Sequence, residues 1–182
     1  MASHGTFYVV MGNGSTFLAP VTAVPTTALT MALYNPAAGR KLLVKEASYF
    51  LASGTPTASS ALFATVTSVP QARPTLSTGA NGGYASTVIS ALNGAGAPGD
   101  TRALFINAIT GTGPQAAWVM LGATPSGLGL ASATLIGHGG VFDLSRYEFV
   151  VKEGHMLGIT VLSGTGTTPL FGFGLLFEDV DE

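Results

Sequence analysis

Apolar, β-branched runs of about five to nine residues recur along this chain between clusters of Gly, Pro, Ser, Thr and Asn. That spacing is the signature of short strands joined by turns. No window of about a dozen residues carries a convincing 3.6-residue apolar period with caps. The stretch Pro125–Ile136 comes nearest to a helix, but Gly127 and Gly129 weaken it. Strands are expected near Ala28–Tyr34, Leu42–Leu51, Ala61–Ser68, Thr87–Leu92, Ala103–Thr110, Ala117–Leu121, Gly140–Leu144, Glu148–Val151, Met156–Leu162 and Leu170–Phe177. Two of these alternate clearly. Phe171, Phe173, Leu175 and Phe177 form a bulky face against Leu170, Gly172, Gly174 and Leu176, and Leu157, Ile159 and Val161 form an inward set. About eight to ten strands without a βαβ rhythm predict an all-β fold, a two-sheet β-sandwich or jelly roll.

The first 20 residues are rich in Gly, Ser and Thr, with Phe7, Tyr8, Val9 and Val10 inserted among them. They read either as an edge strand of the sandwich or as an extended N-terminal arm that adds a strand to a neighbour. Residues 21–182 then form a single sandwich domain. It carries a long Pro- and Gly-rich loop at about 70–100, of the kind that often serves as a binding surface.

Charge is scarce. Only 9% of the 182 residues are Asp, Glu, Lys or Arg, against about 25% in an ordinary soluble domain. A folded monomer of this mass exposes on the order of 8,000 Å², roughly one charged residue per 500 Å². Such a surface suits a chain that covers itself with partners. The net charge of −2 argues against nucleic acid. No apolar run approaches the length of a membrane-spanning helix, and the start lacks a secretory signal pattern. Without cysteine there is neither a disulfide framework nor a thiolate site. Glu178, Asp179, Asp181 and Glu182 crowd the last five residues. They read as a solvated acidic tip or as a contact for a basic partner surface or a cation.

Motifs that match by letter lack their context. Gly94-x-Gly96-x-x-Gly99 is interrupted by Pro98 and precedes a strand, whereas a dinucleotide site needs a helix there. Asn13-Gly14-Ser15 reads as a turn. His4, His138 and His155 have no metal-ligand spacing. Ser145, His138 and Asp143 lie within eight residues of one another, too close for a triad assembled from distant parts of a fold. No cofactor, metal or catalytic residue is expected. The candidate contact residues are Phe7, Tyr8, Val9 and Val10; Tyr34 and Asn35 with the basic pair Arg40 and Lys41 of the following turn; Arg73 and Arg102 beside the long loop; and Trp118, a core or interface anchor.

Two segments carry a family pattern: LTMALYNPAAGRKLLVKEASYFLASGTP, residues 29–56, and FDLSRYEFVVKEGHMLGITVLSGTGTTPLFGFGLLFEDV, residues 142–180. A strand, Tyr-Asn-Pro-Ala, Gly, a second strand and Ser-Gly-Thr, with a late hairpin and a C-terminal strand ending in Phe-Glu-Asp, resemble small virion proteins of tailed bacteriophages. Glu153-Gly154 stands where their pattern has Pro-Gly. The resemblance covers about a third of the chain and implies a jelly-roll or tumour-necrosis-factor-like sandwich. It also implies a non-enzymatic role, a trimer that decorates or cements a capsid surface by binding the major capsid protein. Two other expectations stand beside it. One is a tail, collar, fibre-adaptor or filament subunit. The other is a carbohydrate-binding jelly roll that uses the 70–100 loop and Trp118.

Overall fold

A computed structural model of the chain describes residues 2–11, 17–26, 28–55, 60–73, 90–91, 103–110, 118–124, 139–164 and 167–182. These residues form eleven strands: β1 (Ser3–Met11), β2 (Ala28–Tyr34), β3 (Arg40–Thr55), β4 (Ser60–Val66), β5 (Ser90–Ala91), β6 (Leu104–Thr110), β7 (Val119–Thr124), β8 (Gly139–Asp143), β9 (Val150–Val151), β10 (Met156–Ser163) and β11 (Thr167–Asp181). No helix occurs among the described residues. Sheet A has the order β5-β1-β11-β3-β8, with β9 beside β3, and sheet B has the order β6-β2-β10-β4-β7. Every pairing between named strands is antiparallel. With β5, β6 and β9 set aside as accessories, the first strand lies beside the last in sheet A and the second beside the next to last in sheet B. That is the winding order of a jelly roll. The all-β sandwich expected from the strand spacing is the fold.

The alternation of β11 places the core. Phe171, Phe173, Leu175 and Phe177 are all buried on the inner face, opposite Leu51, Tyr49, Ala47 and Val44 of β3. Sheet B contributes Met31, Leu33, Leu62, Ala64, Leu157, Ile159 and Val161 to the same cluster. Residues 17–21 cross between the sheets. Leu18 exchanges backbone hydrogen bonds with Phe171 in sheet A, and Val21 does so with Val161 and Ser163 in sheet B.

The N-terminal segment is a strand in the fold. β1 pairs with β11 from Ser3↔Val180 to Met11↔Phe173, and Phe7 and Tyr8 pair with β5 on its other side. Phe7 is fully buried and stacks on Phe177 at 5.7 Å, and Val9 is 3% exposed. These two side chains therefore fill the core and cannot dock on a partner while the chain stays folded. The helix candidate at 125–136 and residues 74–89 and 92–100 of the long loop lie outside the described residues, and Ser90–Ala91 is a strand.

The connection after β2 is held by Asn35, which is completely buried. Its Nδ2 donates to the carbonyls of Arg40 (2.8 Å) and Val151 (3.0 Å), and its Oδ1 accepts from the Ala37 N–H (3.0 Å). Its own N–H donates to His155 O, and its carbonyl accepts from the Gly154 N–H. Gly39 and Gly154, at φ of +71° and +73°, supply the left-handed positions that these two turns need.

Phe7→Ala should cost about 3–5 kcal/mol of stability. Deletion of residues 2–11 should leave a chain with no cooperative urea transition, because it exposes one whole side of β11. Asn35→Ala should cost about 2–4 kcal/mol, since it strands several buried backbone groups. Equilibrium urea unfolding measures all three.

Candidate interaction surface

The outer face of sheet A can be read row by row from the register. One row across the sheet is Gly172, Phe50, Gly139; the next is Val10, Gly174, Ser48, Val141; the next is Tyr8, Leu176, Glu46, Asp143; and the last is Thr6, Glu178, Leu43, Val150. The upper rows are uncharged and lie flat, because glycine stands at the centre of the sheet and large side chains lie over it. A Cβ on Gly172 would come within 2.3 Å of Phe50 Cζ, and one on Gly174 within 2.5 Å of Ser48 Oγ and 2.9 Å of the Tyr8 hydroxyl oxygen. Phe17 meets Phe50 edge-on at 6.0 Å. Tyr8, Phe50 and Leu176 are only half-buried, and Val141, at 70% exposure, is the most exposed large apolar residue described.

The outer face of sheet B differs. Its row Ala32, Gly158, Thr65 is buried throughout, and Thr160 beside it is fully buried as well. Leu29, Ala32, Tyr34, Leu104 and Met156 form a second apolar cluster, with Trp118 packed against it. Trp118 is fixed there by its Nε1–H, which donates to the Pro25 carbonyl at 2.9 Å. Sheet B is thus covered by its own chain on the β2 side, while toward β7 it leaves Phe63 and Leu162 half-buried and Met120 57% exposed; sheet A presents its open apolar patch across β1, β11, β3 and β8.

Charge collects at one end of the sandwich. Arg40, Lys41, Lys45, Glu46, Asp143, Arg146, Glu148, Lys152, Glu153 and the last five residues surround the start of β3, the end of β11 and the turns beside β9. Arg73 follows Gln71, whose N–H donates to the Gly154 carbonyl at that same end. Ala47–Thr55 of β3, Thr167–Phe177 of β11 and all of β10 carry no Asp, Glu, Lys or Arg.

Three of the four acids of the tip are engaged within the chain. Glu178, Asp179 and Asp181 belong to β11 and meet bases of the same chain. Asp179 is buried with Arg40 at 3.6 Å, Glu178 lies 3.5 Å from Lys45 and accepts from the Ser3 hydroxyl, and Asp181 lies 2.7 Å from His4 Nε2. The His4 hydrogen bond holds the Asp181 carboxyl below its ordinary value of 3.8. The Asp143 carboxyl is also lowered, chiefly by the Ser145 hydroxyl and then by the Ser145 N–H. Ser145 thus donates to Asp143 directly, with no base between them, and His138 lies outside the described residues. His155 donates from Nδ1 to the Thr67 carbonyl at 2.7 Å.

Of the expected contact residues, only Tyr8 has a described side chain on the open face. Val10 stands opposite Gly174 there, but its side chain lies outside the described residues. Phe7 and Val9 are core. Tyr34 and Trp118 come together in the covered cluster. Asn35 and Arg40 share one turn, Lys41 sits half-buried opposite Val180, and Arg73 is exposed. Arg102 lies outside the described residues. Sequence reasoning missed Phe50, Leu176 and Val141. Their signal was the alternate glycines of β11, which need large cross-strand neighbours to cover them. Among the described residues there is no group of three or more His, Asp or Glu side chains placed to hold a metal ion, and no helix long and apolar enough to cross a membrane. Searches with protein-family models, curated proteins and solved structures gave no match to this chain.

The Asp181 contact has a defined pH dependence. A carboxyl lowered in the folded state adds stability above its ordinary value, and that stability disappears as the pH falls through the lowered value. Asp181→Asn should therefore lower the unfolding midpoint at about pH 6 and match the parent at the acid end of a pH series that crosses 3.8.

Proposed function

We propose that this chain is a non-enzymatic structural subunit of a bacteriophage virion. It self-associates through the outer face of sheet A and binds the shell lattice as an oligomer. The open apolar patch of Tyr8, Phe50, Leu176 and Val141 is the observation that carries this reading. Aromatic and aliphatic residues at the centre with charge toward one rim are the composition of a protein–protein interface. A broad apolar patch suits protein surface from neighbouring copies of the chain better than it suits a small ligand. The sequence resemblance supplies the rest: three copies round an axis, a capsid surface as the location and the major capsid protein as the lattice partner. Closed symmetry would limit each oligomer. Binding only the assembled shell would stabilise it by mass action.

Light scattering coupled to size-exclusion chromatography should give a trimer. Val141→Arg should shift it to monomer while leaving stability within about 0.5 kcal/mol, as for other exposed positions. A parent protein that stays monomeric at high concentration, or that grows into open fibres, would overturn the oligomer. Antibody labelling of particles that contain the chain should decorate the capsid in a regular array. Label confined to tails would overturn the location.

A further inference from the structure

We propose that the pocket at the β8–β9 turn binds a neutral saccharide. Strand β3 changes neighbours there, pairing with β8 over Glu46–Phe50 and with β9 over Leu42–Leu43. Its register with β11 slips at the same point, from Leu176↔Glu46 to Phe177↔Val44, so Lys45 is the extra residue of a bulge. Bulges re-aim side chains and are enriched beside binding and active sites. The chain swings out through Ser145–Glu148 and returns at Phe149, whose carbonyl accepts the Val44 N–H at 3.0 Å. Between these segments lies a half-open cleft of about 290 Å³, lined by Leu43, Lys45, Ser145, Glu148, Phe149 and Val150 among others. Glu148 holds φ at +49°, a left-handed conformation that a glutamate adopts only at a cost. Two departures from regular backbone, the bulge and this turn, therefore bring Lys45 and Glu148 to the lining of one cleft.

The lining selects the ligand by its chemistry. Leu43, Phe149 and Val150 offer apolar walls. Tyr147, 52% exposed, lies 6.0 Å from Phe149 at a 39° tilt and extends an aromatic surface beyond the cleft. A sugar ring presents C–H groups to such a surface and hydroxyls around its edge. The Glu148 carboxylate accepts from hydroxyls, and the Lys45 ammonium has three donors. The Ser145 hydroxyl proton is committed to Asp143, which leaves its oxygen as an acceptor. Charge decides between neutral and ionic ligands. Glu178 lies 3.5 Å from Lys45 and already offsets its charge. Asp143 and Glu148 flank the turn, with Arg146 acting on Asp143. An anion would meet these carboxylates and a cation would meet Lys45, whereas a neutral polyhydroxyl ligand satisfies both. This site uses none of the open-face residues Tyr8, Phe50, Leu176 and Val141, so it does not depend on the assembly reading.

The full chain would be applied to an array of neutral and acidic glycans. Methyl glucoside, methyl galactoside, N-acetylglucosamine and N-acetylneuraminic acid would then be titrated by NMR. The expected result is retention of at least one neutral glycan, with binding weakened tenfold or more in Tyr147→Ala and in Lys45→Met. Tyr147→Ala changes an exposed side chain and keeps the test valid if the bulge variant folds poorly. Silence across the neutral glycans, retention of acidic glycans alone, or equal binding by parent and Tyr147→Ala would each overturn the proposal.

Discussion

The two-faced alternation of β11 is the constraint on which the rest of the molecule depends. The strand lies inside sheet A, between β1 and β3, and is paired along nearly its whole length. Its inner face gives Phe171, Phe173, Leu175 and Phe177 to the core, and on its outer face Gly172 and Gly174 lie beneath Phe50, Ser48 and Tyr8. Because side chains alternate with a period of two, a one-residue slip would turn four large residues out of the core and put glycines in their place. Few registers can therefore compete with the native one. The same strand sets the electrostatic polarity of the fold, since its last residues are acidic and the preceding run is uncharged.

Most strand positions were legible because each is a local pattern. Ala28–Tyr34 matches β2 end to end, and the runs near 42–51, 61–68, 103–110, 156–162 and 170–177 fall on β3, β4, β6, β10 and β11. What local pattern does not carry is pairing. Phe7 and Val9 alternate in the sequence, but their partners, Phe177 and Leu175, lie far along the chain, so local pattern leaves both an arm and a strand open for residues 1–20. The acidic end was visible as composition. That register would set His4, Arg40 and Lys45 beside it was not. The two segments that carried the family resemblance do meet in space. Asn35 of the first binds the backbone of Val151, Gly154 and His155 in the second. A buried asparagine with this many partners is hard to replace.

The open face of sheet A was illegible for a related reason. Glycines at alternate positions of a strand announce that something must lie over them, but not what. Only the register puts Phe50 opposite Gly172 and Ser48 opposite Gly174. The glycines flatten the patch, and Phe50 and Tyr8 laid across them make it apolar. Sheet B shows what the chain does when it covers such a surface itself. Trp118 spends its single hydrogen-bond donor on Pro25 and closes a cluster over Ala32 and Gly158. Sheet A has no comparable cover over Tyr8, Phe50, Leu176 and Val141, which stay half-buried or exposed.

Scarcity of charge first suggested only a chain that does not stay alone, and the fold turns it into an orientation. The charged residues at one end are engaged with each other through Arg40–Asp179, Lys45–Glu178 and His4–Asp181. Covering the exposed members of this group against a partner would remove charges from water, and a buried pair regains that loss only with excellent geometry. Covering the uncharged half costs no such desolvation and removes apolar surface from water. An assembly that used the half of β3 and β11 beyond Glu46 and Leu176 would avoid that cost and would leave in solvent the end that holds both the acidic strand terminus and the β8–β9 turn. The proposed assembly face and the proposed saccharide pocket are thus compatible on one molecule.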